Sequence, residues 1–228
     1  MAFAIDLEGY YITAKGGVSK TFNTGATSFN SAGGGLLYTL EDKDLGTGSA
    51  FGFSVGKYLT DSFRLELEAI KRAGYEYDVN QTNINPELSH KAKIETHALF
   101  INGFYDFQPF TMSNTAITPY LGGGVGISRN KMGTDVAHLN GIPHPNGVTN
   151  DSNTINQFAY KFSAGTLVSL TQQLSLDVNY QYVNLGAFKG GTEVLLNGVR
   201  RPDIDLQRGI NGGDIKTQEL MVGLQYKF

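Results

Sequence analysis

Alternation with a period of two residues carries this chain through its last nine positions. In Leu220-Met221-Val222-Gly223-Leu224-Gln225-Tyr226-Lys227-Phe228, the residues Leu220, Val222, Leu224, Tyr226 and Phe228 fall on one face. Met221, Gly223, Gln225 and Lys227 fall on the other, the mark of a β-strand with one apolar side. A strand that ends on an aromatic needs an apolar surround along that entire face, and a lipid bilayer supplies one.

Seven further segments follow the same rule. Tyr10 to Ser19 sets Tyr10, Ile12, Ala14, Gly16 and Val18 against Tyr11, Thr13, Lys15, Gly17 and Ser19. Ala50 to Leu59 carries Phe51, Phe53 and Val55 on its apolar side. Phe63 to Ile70 sets Phe63, Leu65, Leu67 and Ala69 against Arg64, Glu66 and Glu68. Ile94 to Phe107 has aromatics on both faces; Leu99, Ile101 and Tyr105 are assigned outward and Asn102 inward. Tyr120 to Ser128 places Leu121, Val125 and Ile127 opposite a column of Gly122, Gly124 and Gly126, which leaves room for bulky side chains across a narrow interior. Phe158 to Leu170 and Leu174 to Tyr182 complete the set, the latter with Ser175, Asp177, Asn179 and Gln181 on its polar face.

The spacing of these segments is rhythmic. Long connections span Lys20 to Gly48, Lys71 to Lys93, Arg129 to Thr154 and Ala187 to Gly213, and short ones lie at Thr60-Asp61-Ser62, Gln108 to Thr115 and Thr171-Gln172-Gln173. Such a meander puts the short turns on one rim and the long loops on the other. Structureless loops of roughly 20–30 residues are out of place in a compact soluble domain. The expected fold is therefore all-β: one domain over 1–228, an eight-stranded antiparallel up-and-down transmembrane β-barrel with four long extracellular loops and three short periplasmic turns. Inverting the faces would give a soluble lipocalin-like barrel with Arg64, Glu66, Glu68, Lys161 and Asp177 in water. The one-sided loops, the terminal Phe228 and a belt of Tyr and Phe toward strand ends favour the membrane form.

Composition agrees. Mean hydropathy is −0.20 and no run approaches the roughly 18 apolar residues of a membrane helix. Barrel strands escape that criterion because every second residue faces the lumen. The 29 Gly, 14 Phe and 12 Tyr favour strands and turns. Absence of cysteine excludes disulfides and thiolate chemistry, and a net charge of −3 gives no basic surface for nucleic acid. Met1-Ala2-Phe3-Ala4 has neither a basic n-region nor an apolar h-region, so an exported chain of this kind is expected to be a mature form with an added start Met.

The run Ile117-Thr118-Pro119-Tyr120-Leu121-Gly122-Gly123-Gly124-Val125-Gly126, the closing Val222 to Phe228, and Phe53 to Glu66 with its short turn resemble the small outer-membrane barrels of the OmpA/OmpX and opacity types. The likeness covers essentially the whole chain, without the peptidoglycan-binding domain that follows the barrel in full-length OmpA-like proteins. The Asn- and Lys-tinted loops resemble rickettsial-type surface adhesins. What the resemblance implies is a location in a Gram-negative outer membrane with periplasmic termini. It also implies a C-terminal signal, Tyr226 and Phe228, that the barrel-assembly machinery reads.

Three groups of residues are candidates for function. Lys15, Arg64 and Lys161 are expected in the lumen with Glu66, Glu68, Asp177 and Glu219, where opposite charges must pair or be hydrated. Eight strands leave an interior that side chains fill, so a plugged core is expected, with a narrow or gated pore as the alternative. In the loops, Leu37, Tyr38, Leu195 and Leu196 offer apolar contacts. Arg200 and Arg201, among Lys189, Arg208, Glu193, Asp203 and Asp205, suit an acidic partner or lipopolysaccharide phosphates. Catalytic chemistry is not indicated. His90, His138 and His144 fall in long-loop sequence without a partner pattern, and His97 shares a face with Glu95 but has no nucleophile. Glu41-Asp42-Lys43-Asp44 lacks the spacing of a calcium loop, and His138 to His144 is equally thin as a metal motif. No enzyme, metal or cofactor is expected. The expected role is a monomeric outer-membrane adhesin that contacts bilayer, lipopolysaccharide and host extracellular proteins. A pore, a structural protein and a lipid-modifying enzyme are the competing classes.

Overall fold

The computed structural model describes residues 7–22, 24, 27–30, 37–40, 44–81, 88–204 and 208–228. Eight long strands form the wall: β1 Tyr10–Thr21, β2 Thr47–Tyr58, β3 Phe63–Gln81, β4 Leu88–Asp106, β5 Thr115–Met132, β6 Asn153–Ser169, β7 Leu174–Lys189 and β8 Arg208–Lys227. Each pairs antiparallel with its sequence neighbours, and β8 pairs with β1 to close the barrel. The closing seam runs from Tyr11 opposite Lys227 to Thr21 opposite Thr217, and the Phe228 amide donates to the Tyr10 carbonyl at 3.0 Å. Closure leaves no wall strand with an open edge, the condition for a sheet in lipid.

Alternation along each strand sorts side chains into two environments. Phe51, Val55, Leu67, Ile101, Val125, Ile127, Phe158, Phe162, Leu220 and Val222 point outward and are 45–66 % exposed. So much contiguous apolar surface is incompatible with water and suits an acyl-chain solvent. From Phe63 to the first outward charge of β3, Lys71, the wall rises roughly 20 Å, taking about 3.3 Å per residue and a tilt near 40°. Inward positions carry the charged and amide side chains. Gly122 and Gly124 leave the space that Phe104 and Asn102, projecting from β4, occupy.

Two bulges break this alternation near the extracellular rim. On β3, Arg64, Glu66, Glu68, Ile70 and Arg72 face inward; after a register shift between Arg72 and Tyr75 the odd residues Tyr75 and Tyr77 take their place. On β7, Val183 and Leu185 face inward, and a shift between Asn184 and Ala187 brings Phe188 in after them. Gly74 (φ 94°) and Gly186 (φ 68°) supply the left-handed backbone that each bulge needs. The outcome is an apolar core across the upper lumen, with Tyr75, Ile94, Met132, Leu185, Phe188, Ile210 and Ile215 all buried. A strictly alternating reading does not foresee it.

The long connections are shorter than their sequence suggests. β3 continues to Gln81 and β4 begins at Leu88, so most of the Lys71 to Lys93 stretch is wall. β8 likewise begins at Arg208, inside the expected loop Ala187 to Gly213. Above the bilayer both faces meet water or neighbouring loops, so the side-chain pattern fades while the backbone ladder continues. Hairpins fill much of the remainder: Thr27–Asn30 pairs with Leu37–Leu40, and Asp135–Leu139 with Ile142–Pro143. The short turns are tight; at one of them Phe110–Met112 pairs back on the start of β5 through Ser113 and Asn114, both at positive φ.

Candidate functional site: a filled lumen and an extracellular sheet

The lumen holds three stacked clusters. Nearest the short turns, Arg64 donates from Nε to both Asp106 oxygens at 3.0 and 3.2 Å and from Nη1 to the Tyr11 hydroxyl at 3.2 Å. Its guanidinium lies 4.2 Å from the Phe104 ring centre and 4.7 Å from that of Tyr120, whose hydroxyl donates to Asp177 at 2.6 Å. Such stacking on π-faces is how a buried guanidinium recovers some of its lost hydration. In the middle, Lys15 lies 2.9 Å from Glu68 and 3.6 Å from Glu66, Lys161 forms a very close ion pair with Glu68, and Asn102 donates to Glu68 at 2.9 Å and to Glu66 at 3.2 Å. Toward the outside, Glu219 accepts from Arg72 Nε at 2.5 Å and Nη2 at 3.0 Å, Gln181 at 2.5 Å, Ser19 at 2.7 Å and Thr217 at 2.8 Å.

Four cations (Lys15, Arg64, Arg72, Lys161) thus meet five carboxylates (Glu66, Glu68, Asp106, Asp177, Glu219) in the wall's interior. Arg64 and Glu219 are 1 % exposed and Glu68 and Arg72 are 0 % exposed, so the mid-lumen charges are compensated by one another rather than by water. The seven expected lumen residues all lie inside. Tyr11, on the face of Lys15 as its strand's alternation expects, joins them, and so do Arg72, Asp106 and Tyr120, which are not among the expected lumen residues. Arg72 shares the parity of Arg64 and sits only two residues past the expected end of its strand; Asp106 shares that of Asn102.

The second site stands above the membrane. Asp135–Leu139 pairs with the start of β4; Val148–Asn150 pairs with Asp135–Leu139 and with Val194–Leu196; Val199–Arg200 closes the set. The third and fourth loops therefore share one sheet that prolongs the barrel wall. Two type I′-like Asn-Gly turns build its hairpins, Asn140-Gly141 (φ 50° and 79°) and Asn197-Gly198 (φ 49° and 78°). Both dipeptides are plain in the sequence, flanked by strand-forming residues, and would have found these hairpins. His90 corrects another expectation: it lies in β4, not in a loop, buried with Nδ1 2.7 Å from Asp135, which also accepts from Asn150 at 2.9 Å. This cluster bolts the third loop to the wall.

Register divides the expected loop contacts between two faces. Arg200, Leu195, Thr149, Val136, Lys91 and Asp78 form one row across six strands, continuous with the outer wall, and Lys91 and Asp78 pair at 3.0 Å within it. Val199, Leu196 and Val148 form a row on the opposite face. Neighbouring residues of a strand point to opposite faces, so Leu195 shares a face with Arg200, and Leu196 with Val199. Arg200 pairs with Glu193 at 2.8 Å, and Arg201 forms a bidentate pair with Asp203 at 2.9 and 2.8 Å, which draws the Asp203 carboxyl below the ordinary carboxylate range. The side chains of Leu37 and Tyr38 lie outside the described residues, as do Glu41, Asp42 and Asp205. His97 is exposed on the outer wall, while Tyr226 and Phe228 stack edge to face at 5.2 Å on the lower outer rim.

Comparison with known proteins places this architecture. The family model described as "Outer membrane protein beta-barrel domain" matches residues 1–228. "Outer membrane protein PagN" of Salmonella typhimurium is 29 % identical over 190 residues, covering 78 % of this chain and 75 % of that protein. A Rickettsia bellii protein bearing the name "Putative adhesin" is 26 % identical over 179 residues, covering 75 % and 72 %. Among solved structures, Neisserial surface protein A superposes with a TM-score of 0.53 at 16 % identity, over 97 % of this chain and 98 % of its own. OprG of Pseudomonas aeruginosa gives 0.54 at 15 %, over 97 % and 96 %. These two structures share the fold.

Proposed function

Because the chain belongs to the outer membrane protein β-barrel family, we propose that it is a surface adhesin that grips host extracellular proteins with the sheet its third and fourth loops build. The observation that carries the reading is the continuous row from Asp78 to Arg200. Long loops are normally the mobile part of a barrel, and a mobile loop loses conformational entropy on binding. Here the backbone of four short strands is already hydrogen-bonded into the wall, and the buried Asp135–His90–Asn150 cluster holds it from below. Side chains on that row meet a partner in a fixed arrangement. The relatives named for adhesion and the outer-membrane location support the same reading.

The test is adhesion of cells displaying the full chain to host-cell monolayers and to immobilised extracellular matrix proteins. Leu195→Glu combined with Arg200→Glu inverts the chemistry of the outer row, and binding is expected to fall about tenfold or more, the scale of losing one or two interface anchors. Unchanged binding by a variant displayed at normal level would overturn the proposal.

A further inference from the structure

On the outer wall, where the apolar band ends, four cross-strand partners form one row: Lys71 on β3, His97 on β4, Arg129 on β5 and Asn156 on β6. The next outward row downward is Ala69, Leu99, Ile127 and Phe158, all apolar. The next upward brings Lys131 beside Arg129, opposite Glu95. Lys71, His97, Arg129 and Lys131 all extend outward and exposed. Lys71 is 3.5 Å from Glu95, its one acidic neighbour in the patch, whereas Arg129 and Lys131 form no ion pair among the described residues. A groove of about 320 Å³ opens at this point, with His97, Arg129 and Asn156 at its upper end and Leu99 and Ile127, 47 % and 61 % exposed, along its floor.

We propose that this groove seats a phosphorylated lipid of the outer leaflet, its phosphate between Arg129, His97 and Lys131 and its acyl chain against Leu99 and Ile127. Charge complementarity selects the occupant. Two unpaired cations stand at the height where a membrane presents headgroups, and a guanidinium takes phosphate oxygens two at a time. The apolar floor directly below selects a lipid over a free anion, because only a lipid brings an acyl chain to cover it. The Asn156 amide adds a neutral donor at the groove's upper end. This is a second contact surface, separate from the loop sheet and independent of what that sheet binds.

The experiment is retention of a phosphorylated lipid A by the full-length barrel in zwitterionic micelles, counted by native mass spectrometry, with dephosphorylated lipid A and inorganic phosphate as separate arms. Native protein is expected to retain the phosphorylated lipid and not its dephosphorylated form, and about 10 mM inorganic phosphate is expected to leave the complex intact. Arg129→Gln with Lys131→Gln is expected to lower retention about tenfold. Lys20→Gln with Lys216→Gln, which removes the same charge from the opposite wall, is expected to leave it unchanged. Ile127→Ser, which keeps every cation, is expected to weaken retention as well. Equal retention of both lipid forms, equal loss in the two charge variants, or displacement by inorganic phosphate would each overturn the proposal. Folding of every variant is checked by the mobility shift between unheated and heated samples on gels.

Discussion

Glu219→Gln tests whether the lumen is sealed. The native carboxylate accepts five hydrogen bonds, two of them from the guanidinium of Arg72, and both residues are essentially without solvent contact. Neutralising it leaves Arg72 charged and buried among Ser19, Tyr75 and Gln181, and the new amide turns a donor toward existing donors. Breaking a buried pair by removing one partner costs about 3–5 kcal/mol. With a urea dependence of about 2 kcal/mol/M, the unfolding midpoint should fall by about 1.5–2.5 M. Removing both charges, as in Arg72→Met with Glu219→Met, should recover most of that loss, since an apolar replacement of a buried pair is close to neutral. In a cycle built from Arg72→Met, Glu219→Met and the double variant, the double is therefore expected to cost far less than the sum of the two singles. The chain has no Trp, so unfolding in lipid vesicles is followed by circular dichroism and by gel mobility. A Glu219→Gln cost under about 1 kcal/mol would refute the reasoning, because it would mean that water reaches Arg72.

Further expectations follow from other parts of the molecule. Gly186→Ala forces a side chain into the left-handed region and places its Cβ 2.6 Å from that of Gln157, so it should cost about 1–3 kcal/mol in the same unfolding assay. Phe228→Ala should slow insertion by the assembly machinery in cells, seen as accumulated unfolded chain in the periplasm, while leaving refolding into detergent nearly unchanged. The Asp203 carboxyl, held low by Arg201, favours the ordered fourth loop above the ordinary carboxylate range and loses that contribution as pH falls through its depressed value. In Arg201→Ala, carbon-detected NMR should find its titration moved upward.

Much of this architecture was legible in the sequence because lipid imposes a rule on every strand. Alternation located all eight, fixed their outward faces and picked out seven of the nine lumen charges, together with Asn102 on the ambiguous β4, but not Arg72 or Asp106. It failed where the rule lapses. Past the headgroups no solvent demands an apolar face, so the strands seemed to stop near Ile70 and Tyr182 although the ladders run on to Gln81 and Lys189. The bulges at Gly74 and Gly186 then reversed parity and turned Tyr75, Tyr77 and Phe188 into the lumen, a change no fixed period foresees. His90 illustrates the first effect: it falls in loop-like sequence, yet it lies in the wall and pairs with Asp135, 45 positions away in the chain. The Asn-Gly hairpins of the outer sheet were the opposite case, a local signal available in the sequence that strand periodicity alone passes over.

Planar-bilayer recording of the purified barrel tests most directly the claim that the interior is a filled scaffold and the outer surface does the work. With Arg64, Glu68, Arg72 and Glu219 cut off from solvent beneath an apolar upper core, no steady conductance above background is predicted under an applied voltage. Sustained, uniform open channels from the native protein would contradict the account, because ions cannot pass a lumen whose charges are already spent on one another.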